Sequence, residues 1–244
     1  MIGRIIWFAT LAALALLTAG LQLDMQSKGT AQLARAVPAP LRSYAQTHIA
    51  HAALQAGDAQ LAVAEAKRLV RRRPLPAENL TLLAAAHARA GEVDQATQAI
   101  RIAGQRGWRE GAAQEAVLRL ALSAGDDAEA ARRYAALFLR PQTPDRLLEE
   151  LGPAVMGEAG GLGQQTVIAV VVGGERWHPQ FLRRGASVMP PAAFSAIAAG
   201  SLAKGAQFDC TQLKQSAAAI AQRDAGAAST LRAAAARRCP DITG

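Results

Sequence analysis

Two hydrophobic patterns divide this chain. From Ile5 to Leu23 (IIWFATLAALALLTAGLQL) no residue is charged, and as a helix the run would rise about 28 Å, close to a hydrocarbon core of about 30 Å. Arg4 and the amino terminus precede it and Asp24 follows, so the positive-inside bias leaves the amino terminus in the cytoplasm and the remainder across the membrane. A cleaved signal peptide fits the same pattern: Ile5 to Leu17 has the length of an h-region, and Thr18 and Gly20 are small. Apolar character continuing through Leu21 and Leu23 favours an uncleaved anchor over residues 1–24. No cysteine stands directly after the run, which excludes lipoprotein anchoring.

After a linker expected over 25–42, the pattern changes to helical runs broken by glycine or proline. Ser43 to Ala56 and Ala59 to Arg72 flank Gly57, and Pro74 and Pro76 then interrupt. Ala77 to Ala90 and Val93 to Ala103 form a second pair, and Gly111 to Ala124 and Ala128 to Leu139 a third, before Pro141 and Pro144. The signature Gly57-Asp58 with Ala62 recurs as Gly91-Glu92 with Ala96 and as Gly125-Asp126 with Ala130, 34 residues apart each time. A glycine reverses the chain in a left-handed conformation. The acid favours the start of the next helix, and the alanine one turn in admits a neighbouring helix.

This spacing resembles the tetratricopeptide repeat, over about Ser43 to Gln142. Ala50, Ala84, Tyr134 and Pro74 also match its consensus positions. Gln46, Leu80 and Gln114 stand where the family carries an aromatic residue, and Trp108 where it carries proline, so the repeats are degenerate. The resemblance implies an all-α architecture. An N-terminal transmembrane helix leads to an α-solenoid of about three hairpins over 43–143 and a C-terminal helical cap over 144–244. It also implies a concave groove for a protein or peptide partner, lined by Tyr44, Thr47, His51 and Gln55, then Glu78, Thr81 and Arg89, then Glu115, Arg119 and Ser123. Arg89 and Arg119 are the residues suited to hold a carboxylate. Arg71-Arg72-Arg73 closes a helix, where positive charge complements the carboxyl end.

In the last third, helix-like Asp145 to Leu151 leads through Gly152-Pro153 to GEAGGLG, the expected flexible boundary. TVIAVVV (Thr166 to Val172) has strand propensity but no second run to pair with, so Gly163 to Val172 reads as a buried helix. Trp177, Phe181, Met189 and Phe194 suggest a small helical core. Cys210 and Cys239 bracket two alanine-rich runs that an antiparallel turn at Gly226 would fold together, so they should form a disulfide outside the cytoplasm.

Composition narrows function. Aromatics are 4% of the 244 residues, so small side chains must build the core. The arginine, alanine, glycine and proline content suits a GC-rich bacterial genome. The net charge of +8 suits anionic surroundings, yet the arginines are scattered without the interleaved aromatics a nucleic-acid platform needs. His48 and His51 share a helical face but nothing completes a metal set. The chain has no GxSxG, HExxH, or phosphate-binding glycine loop. The expectation is a non-catalytic interaction scaffold of the bacterial envelope, in surface-polymer or envelope-complex assembly or export, anchored in the inner membrane with its body in the periplasm. No cofactor, metal, small-molecule substrate or nucleic acid is expected. The alternative is a soluble periplasmic module binding an anionic ligand such as polysaccharide.

Overall fold

The computed structural model describes residues 2–243, and among these no residue is in a strand. Two compact units divide at Ala113/Gln114, inside the first helix of the third pair, and each is described by itself.

The first unit begins with α1 (Ile2–Ser27), about one turn longer at each end than the uncharged run. Residues 2–19 are all exposed, whereas Gly20, Asp24 and Ser27 are buried. The 25–42 stretch is structured: 3₁₀ turns at Ala31–Arg35 and Ala39–Leu41 pack beside the end of α1. Ala34, Val37 and Ala45 make a small core there, joined by Leu23, Leu41 and Ile49. Gly20 admits Leu41, whose Cδ1 would stand 2.4 Å from a Cβ at that position.

Four helices follow: α2 (Tyr44–Ala56), α3 (Ala59–Arg72), α4 (Ala77–Arg89) and α5 (Val93–Arg106). α2 pairs with α3 and α4 with α5, while α4 packs on α3 and touches α2. Gly57 (φ 87°) and Gly91 (φ 76°) are left-handed, as the repeated signature requires. At Gly91 the turn closes with Glu92 N–H donating to His87 O (2.9 Å) and Gly91 N–H to Ala88 O (3.1 Å), which satisfies two terminal carbonyls. Asp58 caps α3 by accepting from Leu61 N–H at 2.9 Å. Glu92 does not cap α5: its longer side chain meets His87 Nδ1 at 2.5 Å instead. Ala62 is buried as expected, but Ala96 is only half-buried.

The second unit begins within α6 (Gly111–Ser123) and holds α7 (Asp127–Phe138), α8 (Asp145–Met156) and α9 (Leu162–Val172). Gly125 (φ 70°) reverses the chain, Asp126 caps α7 through Glu129 N–H (2.9 Å), and Ala130 is buried. α8 does not stop at Leu151. It runs through Pro153, because Leu148, Leu151, Val155 and Met156 all bury in the core and tertiary packing outweighs the lost hydrogen bond. The glycine-rich stretch is a tied turn rather than a flexible boundary. Gln164 accepts from Gly160 N–H (3.1 Å) and donates to Met156 O (2.9 Å). Gly163 lies so close to α8 that a Cβ would sit 1.9 Å from Val155 O. α9 contains TVIAVVV as a helix, with Val167 and Val171 buried and Ala169 exposed.

Beyond it a helix over 178–188, α10, contains a π turn at Phe181–Gly185. Then come α11 (Pro191–Ala203), α12 (Cys210–Ala221) and α13 (Ala225–Ala235). One core spans this unit, with Phe181, Met189 and Phe194 inside it. The expected reversal at Gly226 lies elsewhere. α12 ends at Ala221, Asp224 caps α13 through Ala227 N–H (2.9 Å), and Gly226 is inside α13 without a positive φ. Cys210 and Cys239 are disulfide-bonded, with Cα atoms 5.5 Å apart.

Candidate partner-binding surface

The residues expected on a groove come from α2, α4 and α6, the first helix of each pair. In the first unit α2 and α4 touch, so their outward residues lie side by side. His51 and Gln55, one turn apart on α2, are exposed, as are Glu78 and Arg89 on α4. Arg89 has no ion-pair or hydrogen-bond partner among the described residues. Desolvation on its inner side, and then the neighbouring His48, lower the pKa of His51 below its ordinary 6.5. Neutral imidazole is thereby favoured at this position.

Other expected positions are engaged within the fold or turned away from solvent. Tyr44 carries two cations over its ring, with Arg73 Cζ 4.3 Å and Lys28 Nζ 5.6 Å from the ring centre. Thr47 Oγ1 is buried without a partner, and Thr81 Oγ1 returns to Ala77 O at 3.2 Å. In the second unit Arg119 is exposed but doubly paired, with Glu115 at 3.0 Å and Glu150 at 3.0 Å. Hydrogen bonds to Glu150 and Glu115 raise its pKa. It already holds carboxylates of its own chain, and Ser123 Oγ donates to Leu120 O at 2.8 Å.

The positions where an aromatic residue was missing acquire a reason. Gln46 is 1% exposed and its Nε2 donates to Glu65 Oε2 at 2.7 Å. Gln114 is 0% exposed, and its Oε1 accepts from Arg133 at 3.1 Å. Both clasps join residues 19 apart across one helix pair, in the same 34-residue register. Leu80 and Ala99 hold that register in the second pair, where both positions are buried and apolar.

Two further features escaped the sequence reading. Asp24 is 4% exposed at the end of α1 and caps α2 from outside. Its Oδ1 accepts from Ser43 N–H (2.8 Å) and Ala45 N–H (3.0 Å), and its Oδ2 from Tyr44 N–H (3.1 Å). Arg72 and Arg106, 34 residues apart, each reach back to the loop before their own helix pair. Arg72 donates to Ala39 O at 2.6 Å and to Arg42 O, and Arg106 to Pro74 O at 2.9 Å. The arginine spacing was available in the sequence; the Asp24 contact, 19 to 21 residues distant, had no local signal.

The aromatic region around Trp177 offers little room. The cavity beside Trp177, Phe181 and Met189 is about 20 Å³, enough for one water and no larger ligand. His178 is buried, with Nδ1 3.1 Å from Gln207 O and Nε2 3.0 Å from Val171 O, so it ties α10 to its neighbours. Among the described residues no three His, Cys, Asp or Glu side chains cluster as metal ligands. No family model, curated protein or solved structure matches the chain.

Proposed function

We propose that this is a membrane-anchored scaffold of the bacterial envelope, whose helix pairs are degenerate tetratricopeptide repeats and dock a protein or peptide segment, in surface-polymer or envelope-complex assembly or export. The observation that carries this reading is the phased set of helix pairs. Left-handed glycines recur at 34 residues and a polar intra-pair clasp recurs at twice that interval, while the exposed first-helix residues differ from pair to pair. The invariant positions serve packing and the variable ones are left for recognition.

Retention of α1 as an anchor is supported by its join to the body. The helix is long and apolar enough to cross a membrane. The small residues that would suit a signal peptidase lie inside it, with Gly20 buried against Leu41 and Pro38. A protease that needs an extended segment would have to unwind a packed helix. The disulfide favours an oxidising compartment for the body, which suits the periplasm.

Site-specific photo-crosslinking in cells tests the docking face. A crosslinker at Gln55 or Arg89 should give adducts with a defined partner, whereas one at Gln60 or Asp94, on second helices, should not. The same adducts from all four positions would sink the proposed face.

A further inference from the structure

One edge of the first unit carries a chemistry that neither helix packing nor a groove uses. The chain forms it from segments that α3 and α5 reach at their carboxyl ends. Arg72 holds the loop containing Ala39 and Arg42, Arg73 stacks on Tyr44 at the start of α2, and Asn79 donates to Arg73 O at 2.8 Å. Arg106 holds Pro74 O, and Gly107 abuts Ala77. These contacts make the inter-pair loops one continuous edge, from residue 38 to residue 109.

Two large apolar side chains project from it. Leu75, between Pro74 and Pro76, is 85% exposed, and Trp108 is 48% exposed with Arg109 Cζ 4.9 Å from its ring centre. Arg71, Arg72, Arg106 and Arg109, within four residues of them along the chain, are all exposed, and Lys28 lies over the Tyr44 ring; Glu78, the half-buried Glu110 and the buried carboxylate of Asp24 are the acids on this side. The opposite edge, about 20 Å away at the far end of thirteen-residue helices, carries Asp58, Glu92 and Asp94 with Arg89. Basic side chains interleaved with tryptophan and leucine are what a membrane–water interface selects.

The edge also has the right height. Residues 2–19 of α1 are bare, so no part of the unit runs back along them, and their length is about 27 Å. That approaches the hydrocarbon thickness of about 30 Å. The body begins at Gly20, and what touches Gly20 is Pro38 and Leu41 of this edge. Exported flanks of a span ordinarily carry few basic residues, yet Lys28, Arg35 and Arg42 follow α1 closely.

We propose that the inter-pair edge of the first unit rests on the surface of the bilayer that α1 spans, its arginines at the phosphates of anionic lipids and Leu75 and Trp108 in the interface. The inference rests on the reading of α1 as an anchor. The two readings separate in one experiment on the full chain in vesicles of seven parts phosphatidylcholine to three parts phosphatidylglycerol. The native cysteines are paired, so single variants Trp7→Cys, Leu75→Cys, Trp108→Cys and Val93→Cys accept an environment-sensitive nitrobenzoxadiazole probe. Spin-labelled lipids should quench Trp7→Cys, Leu75→Cys and Trp108→Cys, and not Val93→Cys on the opposite edge. The Leu75 and Trp108 quenching should be lost in phosphatidylcholine alone and with Arg71→Gln plus Arg109→Gln, two exposed residues outside the loop clasps. Quenching at Trp7→Cys with none at Leu75→Cys or Trp108→Cys overturns the edge alone. Absence at Trp7→Cys overturns the anchor and the edge together. Edge quenching indifferent to phosphatidylglycerol and to the arginines overturns the assignment to anionic headgroups.

Discussion

Replacing Asp24 by alanine should loosen one joint and leave the rest of the first unit intact. The carboxylate satisfies three of the amides that α2 leaves open at its start, and it does so from a buried position. Loss of an ordinary N-cap costs about 1 kcal/mol and at most about 2. Hydrogen bonds to a charged group contribute about 1.5–3 kcal/mol each, but here they share one carboxylate and cannot simply add. A cost of about 3 kcal/mol follows, which raises local opening about 100-fold. Hydrogen exchange on the full chain in nanodiscs reads this directly at Ser43, Tyr44 and Ala45. Asp24→Asn keeps one acceptor oxygen and should lie between wild type and alanine. Amides in the middle of α4 and α5 should be unaffected. A change below about threefold at Ser43 to Ala45 would mean that water or the Ser43 side chain caps α2 equally well, and that the joint is not what the contacts indicate.

Three other measurements bear on the structure. Thiol titration of unfolded protein should find none before reduction and two after. Reduction should also lower the stability of the second unit by about 3.6 kcal/mol for a loop of this size, read from denaturant midpoints with and without reductant. His51 should titrate below 6.5 by NMR, and His48→Gln should move it only part of the way back, because desolvation is the larger cause. Its depressed pKa contributes stability that is complete above 6.5 and declines as pH falls through the folded value. Gln46→Leu alone strands a buried Glu65 with one partner fewer and should cost about 1–3 kcal/mol in thermal or denaturant unfolding. Gln46→Leu with Glu65→Ala recreates the apolar pair of the second repeat and should recover most of that loss; equal costs for the single and double variants would refute the clasp.

The helix pairs were legible because their determinants are local. A left-handed glycine, a carboxylate beside it and, in the first and third pairs, a proline after the second helix act within a few residues, and α2 to α7 begin and end within a few residues of where those signals put them. Errors arose where distant packing decided. Pro153 looks like a stop, yet four buried side chains carry α8 past it. GEAGGLG has the composition of a hinge, yet Gly163 is small because α8 passes against it. Gly226 resembles the repeat glycines, but Asp224 caps the next helix two residues earlier, so the turn needs no left-handed residue. At the candidate surface the sequence could name exposed first-helix positions but not their occupancy. Arg89 stays unengaged, while Arg119 is claimed by Glu150 from a helix 31 residues away.

The folded join at 25–42 alters what the proposed anchored scaffold could do. Eighteen residues of flexible linker would let the body wander by about 23 Å from the membrane exit. Instead the stretch is built into two 3₁₀ turns, and Asp24 grips the first turn of α2. The phased arginines then transmit that constraint, Arg72 fixing the first loop and Arg106 the second. If the inter-pair edge rests on the bilayer as proposed, α2 and α4 would stand up from the surface, and His51, Gln55 and Arg89 would lie toward the glycine turns, away from the lipid. A partner that uses them must then reach the face from the side or from above the membrane. Breaking the Asp24 grip should therefore weaken capture of a membrane-tethered partner more than capture of the same segment free in solution, because only the tethered one depends on a fixed height.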